Sequence, residues 1–326
     1  MTVTHINVVT DDDELIVTWR GGSPSLSVFV SADPDDPGTD VRAPDAPGRT
    51  VIARTARRQY IHLFEPEQGF IVAAERCLDM DGADNFRDLG GYPTAQGSHS
   101  RWGRLFRSDR LDELTADDQA RIESLNISTV FDLRSDGEVA MAPDRLPSTV
   151  RHVHLPMSSD VAQQRSMLAR IIDGTLVKFD NDDMSSGYLR MLEGFGDYFI
   201  EVINEIIAGN RVLFHCTAGK DRTGVMAMVL LGLAGVPDAH LLDDYELSQQ
   251  YRRPGTDSPF REKIRSAGFD PDDFETMWQS PRAVMRLTLE GFQQRWGDHA
   301  SYLNWIGVSD ETIAAARAEL CTTGFD

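Results

Sequence analysis

The chain has 326 residues, 41% of them hydrophobic, and a formal net charge of −20, so it holds apolar material for about two domains with sizeable cores. So acidic a chain argues against nucleic acid as a partner, which needs basic stripes, and against tight docking on anionic membranes. No run reaches the length of an integral membrane segment, and no basic-then-apolar leader opens the sequence.

Three cysteines, Cys77, Cys216 and Cys321, are far apart and match no zinc spacing, and their odd count gives no disulfide framework. A reducing, cytoplasmic setting is therefore expected, with export by a route without a signal peptide left open.

Residues 1–76 read as β. Short β-branched runs occur at Ile6–Val9, Leu15–Trp19, Leu26–Val30, Thr50–Ala53, Tyr60–Phe64 and Phe70–Ala73, separated by turn residues rich in Asp, Gly and Pro. This spacing predicts a small antiparallel sandwich with Trp19 as a core plug. The pattern resembles a fibronectin-type module. His5 and His62 stand alone and read as surface or core residues, not as a site.

From residue 77 the pattern changes. Asn85-Phe86-Arg87-Asp88-Leu89-Gly90-Gly91-Tyr92 is a polar lead-in to a Gly-Gly turn. A short strand at Leu105–Arg107 follows, then a helix capped by Thr115 with Asp118 three residues on, ending near Asn126. The strand Ser128–Leu133 ends at Asp132. In open α/β sheets that edge holds ligands, so Asp132 reads either as a site residue or as a cap or ion-pair partner of a nearby arginine. In Val150–Leu155, alternation puts His152 and His154 on one face; with no metal-type partner nearby in sequence they read as structural. A helical core is expected at Ala162–Ile172, and one long core helix over Tyr188–Ala208.

Val212–Phe214 is a continuous apolar run, the mark of a buried strand, and Val225–Leu233 has the makings of a buried helix. Between them lies Cys216-Thr217-Ala218-Gly219-Lys220-Asp221-Arg222. After Gly235-Val236-Pro237, Asp238 caps a helix to about Tyr251. Short helices follow at Phe260–Ala267 and Asp273–Gln279, then longer ones at Pro281–Trp296, Tyr302–Ile306 and Asp310–Leu320. Strands alternating with helices from residue 100 predict an α/β fold with a mostly parallel central sheet flanked by helices. The expected division is 1–76 for the β-sandwich-like domain and 77–326 for the α/β domain.

The loop has a chemical meaning. The first N–H groups of a helix lack intrahelical partners, and the helix dipole makes that end positive. A phosphate can sit on those N–H groups while Arg222 grips its oxygens with a planar fork. The same field favours a thiolate at Cys216 beneath the phosphorus. Phosphoryl transfer to sulfur and then to water is the chemistry this apparatus serves.

His215-Cys216-Thr217-Ala218-Gly219-Lys220-Asp221-Arg222-Thr223-Gly224 resembles the signature of the atypical bacterial protein tyrosine phosphatases that also act on phosphoinositides, the group of the secreted mycobacterial B-type phosphatase. Asn85–Gly91, Phe131–Ser135, Tyr302-Leu303 and Gly307-Val308-Ser309 are similar to other parts of that family. The likeness runs from about 80 to 326.

It implies a cysteine-phosphatase fold and a phosphocysteine at Cys216, with no metal or other cofactor. Phosphate would bind to the backbone of Thr217, Ala218, Gly219, Lys220, Asp221 and Arg222 and to the Arg222 side chain. Thr223 would hydrogen-bond the thiolate, His215 and Arg87 would support the loop, and Lys220 would meet an additional phosphate on an inositol ring. Helices over about 245–280 would form a lid. Partners would be phosphorylated protein or phosphoinositide substrates, with a phosphate ion in the active site; oligomeric state is open.

The general acid is not fixed by motif, since the chain has no Trp-Pro-Asp. Asp221 is inside the loop, Asp132 ends a strand at the site, and Asp160 follows the strand at His154. Asp221 is favoured, then Asp132; Asp221 could instead be structural or pair with Arg87. A phosphoinositide phosphatase is the close alternative to a phosphotyrosine phosphatase. A non-catalytic phospho-binding module is the second class, which an intact Cys, Arg and Thr argue against, and a sulfurtransferase is the third, whose Cys loop is usually shorter and less constrained by Arg.

Overall fold

A computed structural model describes residues 3–39, 41–55, 58–157, 167–251 and 258–322. Seven strands come first: β1 (Thr4–Asp11), β2 (Glu14–Arg20), β3 (Ser27–Ser31), β4 (Val41–Arg42), β5 (Arg49–Ala53), β6 (Tyr60–Glu65) and β7 (Gly69–Ala73). They form two antiparallel sheets, in the orders β1-β2-β5 and β4-β3-β6-β7. Alternation along β2 sends Leu15, Val17 and Trp19 inward, where they meet Val28, Ile61 and Leu63 of the other sheet. Trp19 is buried in this core as its position suggests.

The sandwich docks on the rest of the chain through polar contacts and a small apolar cluster of Tyr60, Ala74 and Trp102. Arg58 lies 2.9 Å from the buried Asp88 carboxylate, and Trp102 Nε1 donates to the Val72 carbonyl at 3.0 Å.

The second sheet system holds β8 (Arg87–Asp88), β9 (Leu105–Ser108), β10 (Thr129–Asp132), β11 (Arg151–His154) and β12 (Val212–His215) in the order β11-β10-β12-β9-β8. All neighbours are parallel except β8 and β9. The central strands are buried on both faces, which is why their sequences read as unbroken apolar runs.

The helices are α1 (Ala116–Ser124), α2 (Asp136–Met141), α3 (Met167–Ile172), α4 (Asn181–Gly194), α5 (Gly196–Ile207), α6 (Asp221–Leu233), α7 (Asp238–Tyr251), α8 (Ser258–Ser266), α9 (Arg282–Trp296), α10 (His299–Trp305) and α11 (Asp310–Leu320). α6 is buried on all sides from Thr223 to Leu233 and touches α4, α5, α7, α10 and α11. Among the described residues no helix is long and apolar enough to cross a membrane.

The structure corrects several expectations. The single helix over Tyr188–Ala208 is two helices that begin earlier: Asp180 caps α4, and the chain breaks at Phe195 (φ −125°, ψ 32°) between Gly194 and Gly196. Gly196 lies against Ile306, where a Cβ would come within 3.0 Å of the isoleucine side chain. The helix expected over Asp273–Gln279 is a 3-10 helix, Pro271–Met277, capped by Asp270. The helical core expected at Ala162–Ile172 is described only as α3, since residues 158–166 lie outside the described residues.

The span 245–280 is not uniformly a surface cover either. α7 to Tyr251 is packed, with Leu241, Asp244, Tyr245 and Ser248 buried.

Candidate active site

β12 delivers Cys216 to the C-terminal edge of the sheet, and α6 starts at Asp221, so the loop between them faces the N-terminus of a thirteen-residue helix. Cys216 is 2% exposed. Gly219 makes the turn possible at φ +62°; a Cβ there would lie 2.7 Å from the Ser108 carbonyl oxygen and the Asp109 nitrogen.

The back of the loop is pinned by donors. Arg107 Nη2 and Asn85 Nδ2 donate to the Gly219 carbonyl at 2.6 and 3.1 Å, and the Arg110 N–H donates to the Thr217 carbonyl at 3.3 Å. With their carbonyls held behind, the loop N–H groups are left for the front. Arg87 supports this scaffold indirectly: it donates to Asn85 Oδ1, and its Nε lies 3.0 Å from Asp244 Oδ1. Asp244, on α7, also takes Arg107 and the Tyr92 hydroxyl. Burial pushes its carboxyl up, but Arg87 and Arg107 outweigh this and hold it well below the usual range. The contacts of Arg87 thus run to Asn85, Asp244 and Ser248, not to Asp221.

At the front, Glu138 of α2 meets the loop. Arg222 donates to its two carboxylate oxygens at 2.6 and 2.8 Å, and Thr217 Oγ1 donates at 2.5 Å. Burial lowers the affinity of Arg222 for its proton, yet the Glu138 carboxylate and the Cys216 sulfur more than restore it. Glu138 is held ionised in turn: burial raises its pKa, and Arg222 then Thr217 bring it well below normal. The Arg222 Nη1/Nη2 edge faces Glu138, so the Nε/Nη2 edge remains to meet an anion.

Asp221 accepts at Oδ1 from the Tyr188 hydroxyl, and Lys220 Nζ lies 3.2 Å from the same oxygen. Lys220 is 1% exposed. Its ammonium donates to the carbonyls of Thr276, Met277 and Gln279 at 3.2, 2.9 and 2.7 Å, the expected partners for a cation at a helix C-terminus. The ammonium therefore serves the 276–279 segment here, where the sequence suggested an additional phosphate. Thr223 Oγ1 is buried without a hydrogen-bond partner, so the expected bond to Cys216 is not made.

Asp132 belongs to a different group. Arg134 grips it with Nε and Nη2, at 2.7–3.1 Å, and also reaches Asp144 at 2.7 Å. His152 Nε2 lies 3.4 Å from Asp144, and His215 Nε2 lies 2.9 Å from it. Burial raises the Asp132 carboxyl, but His152 and Arg134 carry it far below its usual value; a carboxylate so held has no proton to give. Asp132, Asp144 and His152 bring three potential metal-ligand atoms within 4.8 Å of one another, but the Arg134 guanidinium already supplies the cation between the two carboxylates. His152 has the carboxylate neighbours that its sequence surroundings did not show. His154 Nε2 is 2.8 Å from the Arg134 carbonyl. Asp160 lies outside the described residues.

Sequence reasoning missed Glu138, Tyr188, Arg107, Asp144 and Asp244. Two left a trace. Ser135-x-x-Glu138 is a capping-box pattern, and both of its bonds form. Asp244 shares a helix face with Leu241, Tyr245 and Ser248, and a carboxylate on a buried face announces a buried cation.

Residues 78–322 match the profile of the tyrosine phosphatase family. The chain is 30% identical over 224 residues to a tyrosine-protein phosphatase of Nostoc commune, covering 67% of this chain and 74% of the relative. It is 31% identical over 189 residues to the triple specificity protein phosphatase PtpB of Mycobacterium tuberculosis, covering 51% and 67%. A Cupriavidus necator protein assigned as a tyrosine-protein phosphatase is 28% identical over 239 residues, covering 71% and 84%.

Proposed function

This chain belongs to the tyrosine phosphatase family, and from that premise we propose that it hydrolyses phosphotyrosine through a phosphocysteine on Cys216, without a metal ion. The observation that carries the mechanism is the Cys216–Arg222 loop at a helix N-terminus, with the Arg222 fork held by Glu138 at 2.6 and 2.8 Å. The phosphoryl group rests on loop N–H groups from Thr217 to Arg222 and on the free edge of Arg222. Cys216 Sγ attacks phosphorus, the bond to the tyrosine oxygen breaks, and that oxygen takes a proton from Asp221. Water then attacks the phosphocysteine and gives a proton to the Asp221 carboxylate, the P–S bond breaks, phosphate leaves, and the thiolate and the acid are both restored. Asp221 is the acid in this reading because Asp132 is locked in the Arg134 fork. A reducing, cytoplasmic setting suits a nucleophile that oxidation would disable.

The test is hydrolysis of p-nitrophenyl phosphate with a chelator present, for the wild type and Cys216→Ser. Activity in the wild type and its loss to background in the variant are expected; undiminished activity in Cys216→Ser would sink the mechanism. Phosphotyrosine peptides and inositol lipids run in parallel separate the two substrate classes. Phosphotyrosine is favoured, since Lys220 reaches a second phosphate only if residues 276–279 give up its ammonium.

A further inference from the structure

The two oxygens of Asp221 have different surroundings. Tyr188, fully buried on α4, donates its hydroxyl to Oδ1. Lys220 Nζ faces the same oxygen at 3.2 Å. Behind Tyr188, its hydroxyl oxygen lies 2.8 Å from that of Tyr245 on α7, the rings meeting edge to face with centroids 6.1 Å apart. Tyr245 in turn packs over Gly224, where a Cβ would lie 3.1 Å from its ring. A side chain at 224 would press on the phenol, so the glycine lets it sit close to the first turn of α6.

Buried hydroxyls are costly unless each donates and accepts. Since Tyr188 gives its proton to Asp221, it accepts from Tyr245, which fixes the direction of the chain from Tyr245 to Tyr188 to Asp221. Burial, reinforced by the Asp221 charge, holds both phenols above their usual range, so they act as donors and stay neutral. A carboxylic acid accepts hydrogen bonds at its carbonyl oxygen and donates from its hydroxyl oxygen. Both neighbours of Oδ1 are donors, so Oδ1 is the accepting oxygen and Oδ2 is the one that carries a proton.

We propose that Tyr188, backed by Tyr245, is a positioning residue for proton transfer: by holding Oδ1 it turns Oδ2 of Asp221 toward the bond that breaks. The proposal rests on Asp221 being the acid. Its claim beyond packing is that one phenol hydroxyl, not the ring, governs how well the leaving group is protonated.

The experiment compares phenyl phosphate, whose leaving oxygen needs a proton, with p-nitrophenyl phosphate, whose leaving group departs readily without one. The full chain is used as wild type, Tyr188→Phe, Tyr245→Phe, Asp221→Asn and the Tyr188→Phe/Asp221→Asn pair. Tyr188→Phe keeps the ring, so core packing is preserved. It should lose about tenfold in kcat/KM on phenyl phosphate, part of the roughly 10²–10⁴ that a positioned acid supplies, and much less on p-nitrophenyl phosphate. Tyr245→Phe should show the same bias more weakly, and the double variant should be no worse than Asp221→Asn. Equal losses on both substrates in Tyr188→Phe, or none, overturn the positioning role while leaving Asp221 as the acid if Asp221→Asn discriminates between them. An Asp221→Asn variant that does not discriminate overturns the acid assignment, and the positioning role falls with it.

Discussion

The Glu138 carboxylate gathers the Ser135 backbone N–H at 2.9 Å, Thr217 Oγ1 and both terminal nitrogens of Arg222. It caps its own helix and aims the arginine. Glu138→Ala would leave Arg222 free to swing, so kcat/KM for p-nitrophenyl phosphate should fall by about 10–100-fold, the order of loss when a reacting group is misplaced by an ångström. Glu138→Gln should lose less, because one carbonyl oxygen still accepts from Arg222. Steady-state kinetics of the two variants check both expectations. The cap was legible in Ser135-x-x-Glu138. The clamp was not, because its partners at 217 and 222 are brought near only when β10 and β12 pair in parallel.

Among the elements, α6 shows how closely its neighbours approach. At Gly232 a Cβ would come within 2.0 Å of the His299 ring of α10, itself tilted against Phe292 with centroids 4.8 Å apart. Gly232→Ala must push that ring aside and should destabilise by about 1–3 kcal/mol, the usual result of overpacking a full core. The urea midpoint should fall with little change in slope. The elements themselves were largely readable. Apolar runs located β10 and β12, β-branched runs between turns located the sandwich strands except the two-residue β4, and Thr115 and Asp238 marked helix starts. The break at Phe195 was hidden because apolar periodicity continues across it, and the glycines that flank it, one of them seated against Ile306, are its trace in the sequence. The site was legible where a motif concentrates chemistry in one loop, and illegible where Tyr188, Arg107 and Asp244 arrive from three different elements.

At the scale of the molecule, buried charge ties stability to pH. Asp132, and after it Asp144, hold His152 protonated up to about 9, above its ordinary 6.5. A base whose folded pKa is raised stabilises fully below the unfolded value and loses that contribution as pH rises through the folded one. The melting temperature should therefore decline between about pH 6.5 and 9, and His152→Gln should flatten that part of the curve; an unchanged slope in the variant would remove His152 as its source. A second expectation concerns the sandwich. Arg58→Ala strips the Asp88 carboxylate of a partner, leaving it the Gly90 and Gly103 N–H groups at 2.9 Å. The loss should be about 2 kcal/mol or more in chemical denaturation, short of the roughly 3–5 expected when a wholly buried pair is broken. β8 gives this docking a further consequence. Neighbouring residues on a strand point to opposite faces, so Arg87 serves the loop scaffold while Asp88 answers the sandwich. A one-residue slip of β8 along β9 would exchange those faces, bringing a carboxylate toward Asp244 and a guanidinium toward Arg58. The two halves of the chain are thus held to a common reading frame, and a single slip would put like charges against each other at both ends.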